Sequence, residues 1–124
     1  MGIASTEEEE TIEKDISSLE PDFEISAKKL SFEYQENEVA ADEKFNGKII
    51  LVTGIIEDIG KDIMDSIYVL LSDGEEFSMS GVQCFFSDSQ KGDAAKLKKG
   101  DKVTIKGKCD GLLMNVIIRG STLQ

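Results

Sequence analysis

The side chains best suited to chemistry in this 124-residue chain are two cysteines, Cys84 and Cys109, and four carboxylates crowded into one stretch, Glu57, Asp58, Asp62 and Asp65. A thiol can act as a nucleophile or exchange disulfides, but it needs a group that activates it, commonly a histidine, or a second cysteine at CxxC spacing. The chain has no histidine, and its cysteines stand 25 positions apart. Serine–histidine and cysteine–histidine pairs, histidine-based metal sites and thioredoxin-like exchange are therefore poor readings. The carboxylates suit Ca²⁺ in type, yet the EF-hand spacing is missing and an acidic loop is ordinarily just solvated. No GxGxxG or P-loop offers a phosphate cradle. The expectation is a chain with no catalytic residue, no metal and no cofactor: a protein that is not an enzyme.

Binding chemistry is better represented. Aromatic rings stack on flat ligands, and lysines neutralise phosphates. Lys91, Lys96, Lys98, Lys99, Lys102, Lys106 and Lys108 against Asp93 and Asp101 give residues 91–108 a net charge of +5. Lys96, Lys98, Lys99, Lys102, Lys106 and Lys108 form the candidate basic patch; the competing reading is a solvated helix end. The chain as a whole carries −11, very unevenly. Residues 1–45 hold 4 lysines and 14 carboxylates, whereas residues 46–124 hold 10 basic and 11 acidic groups.

The elements that must position these groups follow from periodicity. Ser26 caps a predicted helix that runs to Phe45 and stops at Asn46-Gly47, with Leu30, Tyr34, Asn37, Ala41 and Phe45 on one face. Strands are predicted over 48–59, 67–72 and 81–86, then a short helix within 88–99 ended by Gly100. The last two strands form a hairpin over Lys98–Gly120, whose turn is placed at Asp110-Gly111 because Asp-Gly supplies positive φ angles. Gly54 and Gly107 each interrupt a strand pattern, as a bend in a curling sheet would require. Five strands with a helix between the third and fourth give the fold class: a five-stranded OB-fold β-barrel preceded by an N-terminal helix. Alternation turns Ile67, Val69, Leu71, Val82, Cys84, Phe86, Val103 and Ile105 inward. Tyr68, Leu70, Gln83 and Phe85 are left outward as the candidate ligand face. Cys84 and Cys109 share the inward parity, and two readings stand open for them: buried free thiols, or a disulfide joining the two strands.

Leu30 and Tyr34, Asn37-Glu38, Ala40-Ala41-Asp42, Gly47-Lys48, Val52-Thr53-Gly54, Gly81 to Phe86, Lys99 to Val103 and Gly107 to Gly111 occur in an order that resembles the tRNA_anti-like family of small bacterial OB-fold proteins. The resemblance covers about residues 25–122. It implies an OB barrel preceded by a helix, and it implies members that are often exported or lipid-anchored. Fold is shared more widely than function, so it does not imply tRNA binding.

Residues 1–24 are expected to be an acidic tail, disordered or loosely docked, in which Ile12, Ile16 and Leu19 stand at helical spacing; residues 25–122 are the helix and barrel. No stretch approaches the roughly 20 apolar residues of a membrane span. Met1 to Thr6 fits the short N-myristoylation pattern, but the glutamates behind it would repel an anionic membrane. The chain shows neither an export signal nor a lipobox cysteine. A cytoplasmic location follows if Met1 is the natural start, an exported or lipid-anchored one if a signal has been removed. The functional expectation is a non-catalytic OB-fold module for a protein or small polymeric ligand. Its alternative is single-stranded RNA or DNA, bound through the barrel face and the lysine-rich 91–108 stretch.

Overall fold

Alternating strands and one amphipathic helical region build what the periodicity predicts, with differences at their boundaries. The computed structural model describes residues 16–72 and 81–124. Chain order is a 3-10 turn (Ile16–Ser18), β1 (Phe23–Ser26), α1 (Ala27–Glu36), α2 (Glu38–Phe45), β2 (Ile49–Lys61), β3 (Ile67–Ser72), β4 (Val82–Phe86), a 3-10 turn (Asp88–Gln90), α3 (Lys91–Ala94), β5 (Lys102–Leu113) and β6 (Asn115–Leu123). Strands β2 to β6 close into a barrel in the order β2-β3-β4-β6-β5, with β5 returning to β2. Only β4 and β6 run parallel within it. This is the OB-fold barrel.

Closure depends on β2, which serves two neighbours. Its residues Ile49 to Ile55 pair with β5 and its residues Ile55 to Lys61 with β3. Gly54 sits at the change of partner, where a Cβ would lie 2.9 Å from the Ala27 Cβ and 3.0 Å from the Ser72 carbonyl. Gly107 is pressed in the same way against Ile118 and the Arg119 carbonyl. The two strand glycines are thus places where another chain segment comes too close for a side chain.

The interior holds Val69, Leu71, Val82, Cys84, Phe86 and Ile105, as alternation predicts, while Ile67 and Val103 are half-buried at its margin. The predicted single helix is two. At Asn37 the backbone turns extended (φ −161°, ψ 96°), and the Asn37 side chain accepts from the Ala40 N–H to cap α2. An amide that satisfies a helix start competes with continuing the first helix, so Asn37 lies exposed at a break and not on a buried face. Leu30, Tyr34, Ala41 and Phe45 do form the packed face. The predicted helix over 88–99 shrinks to a 3-10 turn and the four-residue α3.

Two further differences bear on function. The Asp110-Gly111 pair is not the hairpin turn. Cys109 pairs with Ile118 and Leu112 with Val116, so Asp110 and Gly111 together oppose Ile117 in a bulge, with Gly111 at φ 82°. The strands continue beyond it and reverse at Met114, φ 64°. Asp-Gly is equally suited to a bulge and to a turn, which is why the sequence alone misplaces the reversal. The second difference is the tail boundary. β1 adds to β2 in parallel, the Asp22 carboxylate accepts from the Ile49 N–H at 2.9 Å, and Ile16 is buried. Residues 16–24 therefore belong to the folded body, and the expected tail over residues 1–15 lies outside the described residues.

Candidate ligand-binding face

The outward side chains of β3 and β4 meet because of their register. Tyr68 pairs with Phe85 and Leu70 with Gln83, and all four are half-buried. The Tyr68 and Phe85 ring centroids are 5.8 Å apart at an interplanar angle of 54°. On one side the Tyr68 ring lies over Gly60 of β2, its register partner. On the other, the guanidinium of Arg119 on β6 covers Phe85, its Cζ 5.1 Å from the ring centroid. Arg119 Nε donates to the Asp110 carboxylate at 2.7 Å, and across the β5–β6 pairing Arg119 faces Lys108. A continuous row therefore crosses four strands: tyrosine, phenylalanine, guanidinium, ammonium. It borders an open groove of about 650 Å³ whose lining includes Ile16, Asn46, Phe85, Lys108, Asp110 and Arg119.

Sequence reasoning found the two rings and missed Arg119. Arg119 is the only arginine in the chain, and its parity opposes that of the inward Ile118. That signal was readable, but the pairing of β6 with β4 that brings it to Phe85 is a long-range fact.

The candidate basic patch does not come together. Lys96, Lys98, Lys99 and Lys102 are exposed around the start of β5, where Lys99 reaches Asp58 at 3.5 Å. Lys106 is buried, and its Nζ donates at 2.7 Å to each of the Ser17 and Leu19 carbonyls, so it is removed from any phosphate track. Lys108 alone joins the groove, about 20 Å from Lys102 at roughly 3.3 Å per strand residue.

Cys84 and Cys109 are buried free thiols. Each faces Ile118, Cys84 from β4 and Cys109 from β5. With β6 between them their Cα atoms are two strand spacings apart, about 10 Å, beyond the reach of a disulfide. Burial pushes the Cys84 thiol up from its ordinary pKa, and burial does the same to Cys109. Tyr34 Oη donates to the Asp42 carboxylate at 2.9 Å and lies 3.5 Å from Cys109 Sγ, tying the helices to the barrel wall. Burial raises the Tyr34 phenol first, and Cys109 and Asp42 raise it further.

The acidic stretch also resolves into local roles. Asp62 Oδ1 accepts from the Met64 and Ser66 N–H groups at 2.9 Å each and shapes the β2–β3 loop. Among the described residues no three histidine, cysteine or carboxylate side chains gather as a metal-binding group. The loop presents Ile63 and Met64 to solvent, and the β5–β6 reversal presents Leu113 and Met114. These are four of the six exposed large apolar side chains among the described residues, so exposure is concentrated at two loop tips.

The sequence profile of the tRNA_anti-like family matches residues 2–122. Among curated proteins no relative matches. Among solved structures, the chain is similar to a Klebsiella pneumoniae protein provisionally named a nucleic acid-binding lipoprotein, with a TM-score of 0.66, 20% identity, and 88% of this chain and 94% of that one covered. It is also similar to OBody AM3L09, solved bound to hen egg-white lysozyme, with a TM-score of 0.50, 20% identity, and 64% and 84% covered. Identities this low speak for the fold alone. With nearly its whole length matched by the family profile, this chain belongs to the tRNA_anti-like family.

Proposed function

We propose that this chain is a non-catalytic binding module that takes an extended polymeric ligand, in the first place a protein segment, across the face of Tyr68, Leu70, Gln83 and Phe85. The observation that carries the reading is a half-buried ring pair left open to solvent in a barrel that also exposes apolar side chains at the β2–β3 loop and the β5–β6 reversal. Rigid rings on the barrel face, together with adaptable methionines at the two loop tips, suit a protein surface. OBody AM3L09, an OB-fold neighbour, is bound to a protein. The non-catalytic part of the reading draws support from thiols whose burial disfavours the thiolate, the form that attacks.

Single-stranded nucleic acid is the second reading. Arg119 and Lys108 at the end of the ring row favour it, since bases stack on rings while cations hold the backbone, and the Klebsiella neighbour's name points the same way. Against it, Arg119 already covers Phe85 and is paired with Asp110. The lipoprotein name of that neighbour favours the exported alternative for the compartment, which cell fractionation would test.

Selection of the full chain against a displayed random-peptide library, beside titration with single-stranded DNA and RNA at two salt concentrations, tests the function. Peptides whose binding is lost in Tyr68→Ser and Phe85→Ser support the first reading. Salt-sensitive oligonucleotide binding lost in Arg119→Gln supports the second. Binding of either kind that survives all three substitutions rejects this face.

A further inference from the structure

The outer face of the β5–β6 pair is closed in one place and open two residues further along β5. Lys106 and Thr122 are register partners and both are buried, the Lys106 ammonium being spent on the Ser17 and Leu19 carbonyls. Lys108 and Arg119 are also partners, but both are exposed, with their Cα atoms about 5 Å apart. They line the groove together with Asp110, and no other charged side chain does so among the described residues. Asp110 meets Arg119 through Nε, which leaves the donors of the terminal nitrogens. Lys108 has no ion-pair partner among the described residues. Two cations against one carboxylate leave the groove a single excess positive charge. Asn46 and Ser87 add uncharged polar groups to its walls.

We propose that this groove takes a single acidic side chain of a bound protein segment, so that the face selects an apolar residue with an aspartate or glutamate close by in the same segment. The inference rests on the protein-segment reading of the Tyr68 and Phe85 face proposed above, and it names the chemistry of that segment. Lys108 lies two strand spacings from Phe85, about 10 Å, which an extended segment crosses in about three residues. A residue seated on the rings therefore puts its third neighbour over the two cations. A carboxylate there accepts from the Arg119 terminal nitrogens and from the Lys108 ammonium, in charge-assisted bonds. Charge decides against a polyanion. Nucleic acid brings a charge with every nucleotide, whereas the β2–β3 loop, which reaches the groove at Ser66, carries Asp62 and Asp65 against Lys61. One carboxylate on an otherwise apolar segment matches the single excess charge; a row of phosphates does not.

Selection of a displayed random-peptide library on the full chain, followed by titration of a selected peptide made with an amidated C-terminus, tests this. Peptides whose binding is lost in Phe85→Ser should carry an aspartate or glutamate about three positions from an aromatic or aliphatic residue. Changing that acidic residue to its amide should weaken binding about fivefold at low ionic strength, and less in about 0.5 M salt. The difference should vanish in Lys108→Glu, a substitution at an exposed position, and shrink in Arg119→Gln. Peptides that bind through the rings with no acidic preference overturn the inference and leave the binding reading standing. An acidic preference that both substitutions leave intact does the same. Enrichment of no peptide, or peptide binding that survives Tyr68→Ser and Phe85→Ser, overturns the reading and the inference together. Oligonucleotide binding that is lost in Arg119→Gln and is tighter than that of the peptide gives the groove to phosphates and overturns the inference.

Discussion

Two aromatic clusters, one packed under the helices and one on the outer face of β3 and β4, meet different fates. On the helix side, Phe45 stacks edge-on against Phe23 at 5.0 Å, Tyr34 lies 6.2 Å from Phe45, and Lys44 reaches over both phenylalanines while pairing with Glu33. Tyr34 and Phe45 are almost fully buried, and the tyrosine hydroxyl is spent on Asp42 and Cys109. On the strand side, Tyr68 and Phe85 make a similar ring pair and gain a similar cation, Arg119, yet no element covers them among the described residues. The same chemistry is closed by a helix in one place and left open in the other. A closed cluster contributes to stability; an open one is available to a ligand.

Substitutions that break the closed cluster should therefore cost folding, and those in the open one should cost binding. Phe45→Ala is expected to have the largest effect, about 3–5 kcal/mol by chemical denaturation, as expected for emptying a buried aromatic site. The matching Phe85→Ala should cost less, about 1–2 kcal/mol, because the ring is only partly buried on the outer face of the barrel. A result in which the two losses are equal would end the distinction.

Alkaline pH should expose the closed side next. Burial raises the Cys84, Cys109 and Tyr34 pKa values above those of the unfolded chain, which are about 8.5 for cysteine and about 10 for tyrosine. Below about pH 8 both states hold these protons and their contribution to stability is constant. Above it the unfolded state releases protons that the native state retains, so stability falls, by up to about 1.4 kcal/mol per pH unit for each group. Denaturation midpoints from pH 7 to 11 measure it. Cys84→Ala should flatten the profile, and a profile unchanged by that substitution would remove Cys84 from the account.

Tyr34→Phe keeps the ring and removes the hydroxyl that joins Asp42 to Cys109, for an expected loss of about 1–2 kcal/mol with ligand binding retained. Gly111→Ala should cost about 1 kcal/mol, since φ 82° disfavours any side chain, and should show in the same denaturation series. Arg119→Gln is the smallest for stability, within about 0.5 kcal/mol, because its pair with Asp110 is half-exposed. Under the nucleic-acid reading it is also the substitution for which binding should change most relative to folding.

Much of this was legible in the residues. Period-two alternation identified the inward set from Val69 to Ile105 and the outward Tyr68, Leu70, Gln83 and Phe85, because each strand buries one face. Helical spacing identified Leu30, Tyr34, Ala41 and Phe45. What failed did so where one residue type serves two local structures: Asp110-Gly111 as bulge or turn, Asn37 as face member or cap. The four-residue β1 carries too little pattern to announce itself, and it overlaps the Ser26 cap of α1.

By itself, then, the sequence determined that this is an OB barrel with a packed helical region, without the histidine on which much acid–base and zinc chemistry rests, and with a ring pair facing outward. Periodicity encodes which way a side chain points within its own element. Only the tertiary structure decided what each side chain meets. It split the lysines between the start of β5, the Ser17 and Leu19 carbonyls and the groove. It set the two cysteines on either side of Ile118, and it brought Arg119 over Phe85. These meetings join residues far apart in the chain through the register of neighbouring strands, and no local pattern records that register.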